Sequence, residues 1–261
     1  MLKRTASTDR SVSPPPVRRK LGSTTTSKAV NNFFTPASKK EPDQLVWSIL
    51  HGSVIRGQFK KPTDHFASLS RPIKVASFDL DDTVISPKTG NRYERHATSW
   101  KWWNRAVPSQ LRQLHLDGYL VVILSNQGAI SLKDDKKSLQ KETLSSRNFK
   151  DQATSVLTQL DFPASIYAAT GNDVYRKPRT GMWGQLKLDY GLEPNDIDME
   201  GSFYIGDAAG REQTDKRRKD HAVSDRYLAS NIGIPFQTPE EFFIGQATEP
   251  YVHAFEPSKI L

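Results

Sequence analysis

The chain has 261 residues, 36% of them hydrophobic, and its 37 Lys and Arg against 29 Asp and Glu give a net charge of +8, with no cysteine. That length buries one sizeable core and leaves room for an appendage. The missing cysteines exclude disulfides and thiolate metal sites, no apolar run approaches the roughly 20 residues of a membrane span, and the N-terminus lacks the apolar centre of a secretory signal, so a soluble, non-secreted monomer with no membrane partner is expected.

The charge is unevenly placed. Residues 1–40 hold nine Lys or Arg against one acid, Asp9, which leaves 28 basic and 28 acidic residues for the remainder. Any basic groove on the folded part is therefore a local patch. Residues 1–44 are rich in Ser, Thr, Pro and basic residues and read as a disordered basic tail. Lys3-Arg4 and Arg18-Arg19-Lys20 are separated by thirteen residues, close to a bipartite nuclear signal, so a nuclear location is expected; the alternative is a solvated tail that attracts phosphate backbones. Val30, Phe33 and Phe34 form the tail's one apolar cluster, which resembles a sliding-clamp-binding box in which Ser27 stands where Gln is usual. Docking of this cluster on the protein's own domain is the alternative.

From residue 45 to 261 strands alternate with helices. Ile73 to Phe78 is a short β-type run, Pro108 to Asp117 a helix stopped by Gly118, and Tyr119 to Leu124 a continuous apolar strand of the kind buried on both faces of a parallel sheet. A long helix follows through Leu139 to Leu160, then a strand over Ser165 to Ala169, a helix over Met182 to Tyr190 and a strand over Ser202 to Ile205. This order predicts a doubly wound, Rossmann-like α/β fold with a parallel sheet, whose ligands sit beyond the strand C-termini.

Polar groups cluster at those strand ends. Asp79-Leu80-Asp81-Asp82-Thr83 follows the first run, Ser125-Asn126-Gln127-Gly128 the second, Tyr175-Arg176-Lys177-Pro178 lies in the loop after the third, and Gly206-Asp207 follows the last. Paired carboxylates at a strand end, joined by a further Asp and a Lys, describe a phosphate-and-metal site. Carboxylates repel a phosphate dianion, so a hard cation such as Mg²⁺ is needed to bridge them.

The order Asp-x-Asp-x-Thr, Ser-Asn, Lys-Pro, Gly-Asp resembles the haloacid-dehalogenase-like phosphatases. The blocks Tyr175 to Trp183, Gly206 to Arg211 and Pro235 to Phe243 narrow the resemblance to the phosphatase domain of polynucleotide kinase 3′-phosphatases, from about Trp47 to the C-terminus. The resemblance implies Asp79 as the nucleophile forming an aspartyl-phosphate and Asp81 as the acid and then base. It also implies that Thr83 holds the Asp81 loop, and that Ser125, Asn126 and Lys177 bind phosphate. Mg²⁺ would be held by Asp79, the Asp81 main-chain carbonyl and Asp207, with Asp225 as a carboxylate that supports the metal's ligands from outside. Asp82 reads as a turn residue.

From Thr83 to Ser125 there are 42 positions and from Ser125 to Lys177 there are 52, too few for a large cap domain, so an open site suited to polymer ends is expected. Lys88 to Arg105 mixes cations with aromatics, and Arg92, Arg95 and Trp102, with Arg176, are candidate DNA contacts. Trp100 and Trp103 read as core, and the Arg211 to Lys219 run as a solvated loop. No Gly-x-x-x-x-Gly-Lys-Ser/Thr loop occurs, so no 5′-kinase activity is expected. The expected function is a Mg²⁺-dependent DNA 3′-phosphatase of strand-break repair. The alternatives are a small-molecule phosphomonoesterase of histidinol-phosphate or sugar-phosphate type and a non-catalytic clamp-binding repair adaptor.

Overall fold

The computed structural model describes residues 44–251 apart from 68, 70, 91–95, 133–141 and 216. The tail with its nuclear-type and clamp-type segments, and Arg92 and Arg95, lie outside the described residues.

A seven-stranded sheet with the order β1-β2-β7-β6-β3-β8-β9 organises the domain. Its parallel part consists of β3 (Val75–Phe78), β6 (Leu120–Asn126), β7 (Ala164–Ala169), β8 (Phe203–Ile205) and β9 (Phe236–Gln237). In β6, Leu120, Val122 and Leu124 face one core cluster while Val121 and Ile123 face the other. Both faces are therefore buried, which is why the strand reads as an unbroken apolar run.

Helices cover both faces, as the doubly wound reading requires. The first carries α2 (Val107–Leu116) and α3 (Leu144–Leu160), whose Leu111, Phe149 and Val156 pack with Phe78 and Ile123. The second carries α4 (Gly181–Tyr190) and α5 (Ser224–Ile232), whose Met182, Leu186 and Leu228 pack with Val75 and Val122. α3 begins at Leu144 because Thr143 caps it, its side chain accepting the Ser146 N–H. In the C-terminal block, Thr238 and Glu241 close a capping box on α6 (Pro239–Ile244), which sets Phe243 against the ring of Phe78.

The hairpin of β1 (Leu45–Leu50) and β2 (Val54–Phe59) extends the parallel sheet with antiparallel strands, β2 pairing with β7. Trp47 lies across from Gly57, and a Cβ there would stand 2.6 Å from the indole, so only glycine admits the ring. A short helix α1 (Pro62–Ala67) then leads into β3.

Between β3 and α2 stands a two-stranded flap, β4 (Ile85–Pro87) and β5 (Trp100–Trp102). Trp100 is buried in the core, as expected, and Trp102 packs edge-on against it at 4.8 Å, half-buried. The described residues of the two inter-motif intervals hold this flap, α2 and α3 and no cap domain. Strand order reverses at β3, with β6 on one side and β8 on the other, and the crevice outside their C-termini is where the polar motifs converge.

Candidate active site

Register brings the first and last motifs together. Phe78 pairs with Ile205, and the next N–H, that of Asp79, donates to the Ile205 carbonyl at 2.8 Å, so Asp79 and Asp207 leave neighbouring strands side by side. The chain then turns sharply: Asp82 takes φ 53°, the left-handed conformation that Asp tolerates, and the N–H groups of Val84 and Ile85 both donate to the Leu80 carbonyl. That turn is the place expected for Asp82. Thr83 is fully buried, but its hydroxyl has no hydrogen-bond partner among the described residues. The turn after Asp81 is closed by its backbone hydrogen bonds, with the Thr83 side chain buried inside it.

Lys177 is the hub of the site. It is 3% exposed, and its Nζ donates to Asp79 Oδ1 at 2.8 Å, the Leu124 carbonyl at 2.9 Å and the Tyr204 hydroxyl at 2.9 Å, while Asp225 Oδ1 lies 2.7 Å away. Burial alone would lower its pKa, but Asp225 and Asp79 outweigh it and hold the ammonium above its ordinary range. Lys177 is thus a buried charge of the site and not a solvated loop lysine. Asn126 fixes the backbone beneath it: the Lys177 N–H donates to Asn126 Oδ1 at 2.9 Å and Asn126 Nδ2 donates to the Lys177 carbonyl at 3.1 Å. Both ends of that amide are used in positioning Lys177, and Asn126, an expected phosphate ligand, also lines the cleft.

Gln127, to which its motif assigns no role, is central to the site. Its Nε2 lies 2.8 Å from Asp81 Oδ2 and 2.9 Å from Ser125 Oγ, donating to both, and the residue is 2% exposed. Asp81 is thereby oriented. Ser125, the expected phosphate ligand, is 1% exposed and its hydroxyl oxygen accepts this Gln127 bond. Tyr204 was also missed; its polar tip in an otherwise apolar strand, two residues before Gly206, was the available signal.

Asp79, Asp207 and Asp225 each place a carboxylate oxygen within 4.8 Å of the others. Asp225 arrives from the first turn of α5, is wholly buried, and accepts the Ala208 N–H at 3.0 Å. Burial lifts the Asp79 pKa to about 7, with Lys177 opposing and Asp225 and Asp81 adding; burial, Asp79 and Asp225 likewise push Asp207 well above the carboxylate range. The three carboxylates exceed the single Lys177 charge, and all their donors are hard oxygens, so the residues present fit a divalent cation of the Mg²⁺ type. Asp81 contributes no carboxylate to this cluster.

These groups line a cleft of roughly 240 Å³, bounded by the flap residues Ile85, Ser86 and Pro87, by Gln152 of α3, and by Arg176 and His221. The Arg176 guanidinium lies over Gly128, where a Cβ would approach Nη1 to 2.9 Å. His221, exposed and missed in the sequence, stands 3.8 Å from Asp207 Oδ2. Most of the described Arg211 to Lys219 run is exposed, as the solvated-loop reading expects, and its Lys219–Glu212 pair lies in solvent; Arg211, buried against Asp220 and Glu240, and half-buried Arg217, bonded to Asp220 and Glu249, are the exceptions.

Comparison with known proteins agrees with this geometry. Residues 74–243 match the family model described as Polynucleotide kinase 3 phosphatase. A bifunctional polynucleotide phosphatase/kinase of Schizosaccharomyces pombe is 36% identical over 197 residues, covering 75% of this chain and 44% of its own length. A polynucleotide 3′-phosphatase of Saccharomyces cerevisiae is 30% identical over 217 residues, with 66% of this chain and 88% of its own length covered. The polynucleotide 3′-phosphatase ZDP of Arabidopsis thaliana is 32% identical over 189 residues, covering 68% of this chain and 25% of its own. The chain thus spans less than half the length of the fission yeast relative and most of the budding yeast one. With its motifs converging on one cleft and its sequence matched from β3 into α6, the chain belongs to the polynucleotide kinase 3 phosphatase family.

Proposed function

We propose that the protein is a Mg²⁺-dependent DNA 3′-phosphatase that converts 3′-phosphate ends at strand breaks into 3′-hydroxyls. The observation that carries this reading is the pairing of Asp79, fixed through Oδ1 by Lys177, with Asp81, fixed through Oδ2 by Gln127, at the mouth of one cleft. Family membership and the names of the relatives support the substrate class.

Lys177 holds one oxygen of Asp79 and so orients the other toward phosphorus. As the Asp79–phosphorus bond forms and the bond to the 3′-oxygen breaks, Asp81 gives its proton to the departing oxygen. Asp81 then takes a proton from the water that hydrolyses the aspartyl-phosphate, returning both carboxyl groups to their starting states. The Lys177 ammonium offsets charge on the transferring phosphoryl group. Asp79, Asp207 and Asp225 would hold the cation, which supplies the positive charge that lets a phosphate dianion approach carboxylates.

The absence of a cap among the described residues, together with Arg176 at the cleft edge, favours a polymer end over a small ester. Ordered use of Trp102 in the flap core makes it a support for the flap more than a stacking surface. The basic clusters of the tail support action in the nucleus, and Val30, Phe33 and Phe34 offer a segment for a sliding clamp. The test is phosphate release from a 3′-phosphorylated single-stranded DNA oligonucleotide and from its 5′-phosphorylated twin, with Mg²⁺ or with chelator. Mg²⁺-dependent release from the 3′ end alone is expected; equal release from both ends, or faster release from sugar phosphates, would sink the reading.

A further inference from the structure

Gln152 has no part in the chemistry above, yet it borders the catalytic cleft from α3 and is 4% exposed. Its Oε1 is buried and, among the described residues, has no hydrogen-bond partner. A buried carboxamide oxygen without a donor carries an uncompensated desolvation cost, which an apolar side chain of equal size would not. The cost disappears when a donor enters the cleft, and the soft terminal torsion of glutamine lets the amide turn toward it.

The surroundings indicate what would enter. Ile85 and Pro87 give the same cleft an apolar wall. An apolar wall with one amide is how protein sites hold a ring by its face and read its edge. Asp79, Asp81 and Lys177 address the phosphoryl group and leaving oxygen, which every 3′-phosphorylated nucleotide shares, so they cannot discriminate among nucleosides. We propose that Gln152 is a specificity-determining residue that accepts an N–H or O–H donor from the nucleoside bearing the 3′-phosphate, an inference that rests on the 3′-phosphatase reading. Such a donor is available on a base edge or on the 2′-hydroxyl of a ribonucleotide.

The test compares the full-length parent with Gln152→Met. Both are assayed for kcat/KM on single-stranded oligonucleotides ending in 3′-phosphorylated deoxy-A, -C, -G or -T, in a ribonucleotide, and in a tetrahydrofuran residue that lacks base and 2′-hydroxyl. The parent is expected to prefer donor-bearing ends over the tetrahydrofuran end, and the substitution to cut that preference about tenfold. Loss confined to base-bearing ends identifies a base edge; loss confined to the ribose-over-deoxyribose preference identifies the 2′-hydroxyl. Each preference is a ratio within one preparation, so a reduced folded fraction does not change it. Identical ratios in parent and variant overturn the assignment, whether rates are unchanged or uniformly reduced. No release by the parent from any end overturns the phosphatase reading and this assignment together, whereas parental release with unaltered ratios overturns the assignment alone.

Discussion

The carboxylate of Asp225 occupies the space that a side chain at position 206 would need: a Cβ built on Gly206 would stand 2.4 Å from Asp225 Oδ2. The glycine of Gly206-Asp207 is therefore a steric requirement of a residue nineteen positions later, and the two together place a third carboxylate beneath Lys177. Gly206→Ala forces Asp225 and α5 outward, an overpacking cost of about 1–3 kcal/mol. We expect a lower melting temperature, and a loss of phosphate release larger than the loss of folded protein, measured by thermal unfolding and turnover on the same sample.

Lys177→Met strips the counter-charge from buried Asp79 and Asp225. Breaking such a pair from one side costs about 3–5 kcal/mol. Adding Asp225→Asn to Lys177→Met should restore part of that stability without restoring turnover. Urea unfolding of the two single variants and the double variant gives the coupling; strict additivity would mean that Lys177 and Asp225 do not share one electrostatic site.

Gln127→Leu removes the donor that orients Asp81. Because general acid–base catalysis contributes roughly 10²–10⁴-fold, kcat should fall about ten- to a hundredfold, while Asp79→Asn should abolish turnover. Asp79→Asn should keep a near-parental melting temperature without metal, because it relieves the carboxylate excess around Lys177, whereas Gln127→Leu takes a buried donor from Ser125 and Asp81 and should lower it. A Gln127→Leu enzyme with parental kcat would show that Asp81 needs no such partner.

Mg²⁺ should raise the melting temperature of the parent, since a ligand bound only by the folded state stabilises it by about 2.7 kcal/mol at a hundred times its Kd. Asp207→Asn removes one of the three clustered carboxylates and should abolish most of that rise. Ca²⁺-free buffers and a Mg²⁺ titration of each protein by calorimetric scan make the comparison.

His115 supplies a stability signal far from the chemistry. Its ring stacks on Phe162 at 4.9 Å, and burial first, then the neighbouring charges of His65 and Lys60, lower its pKa from 6.5. The folded state binds its proton less readily than the unfolded state. The contribution is therefore fully present above pH 6.5 and is lost as pH falls through that value toward the lowered one. Relative to the parent, His115→Phe should flatten the decline of the urea midpoint across that interval; a parallel decline in both proteins would contradict the assignment.

Much of the site could be read from the chain alone because each motif is local. A strand that is buried on both faces must be apolar throughout, and the first polar residues after it must emerge at the sheet edge, so Asp79 and Asp207 announced themselves, while Lys177, in the loop after β7, was legible from its motif. The same logic made Asp82 a turn and Trp100 core. Asp225 was harder to read, because its role depends on a helix packing against Gly206, and no local pattern records that approach. Asn126 and Gln127 were visible as a motif, but which one serves Lys177 and which serves Asp81 is set by how β6 lies between β3 and β7. Arg211 and Arg217 looked like the solvated charges around them because their partners Asp220, Glu240 and Glu249 become neighbours only on folding. The sequence by itself determined strands β3, β6, β7 and β8, helices α2, α3 and α4 and the order of the reactive groups, since periodicity and turn chemistry are short-range, but left the β1–β2 hairpin, β9, α5 and α6 unread. Only the tertiary structure decided which polar atoms meet, and so which carboxylates share a charge and, among the described residues, which buried amide oxygen is left without a donor, because hydrogen bonds and ion pairs form across strands far apart in the chain.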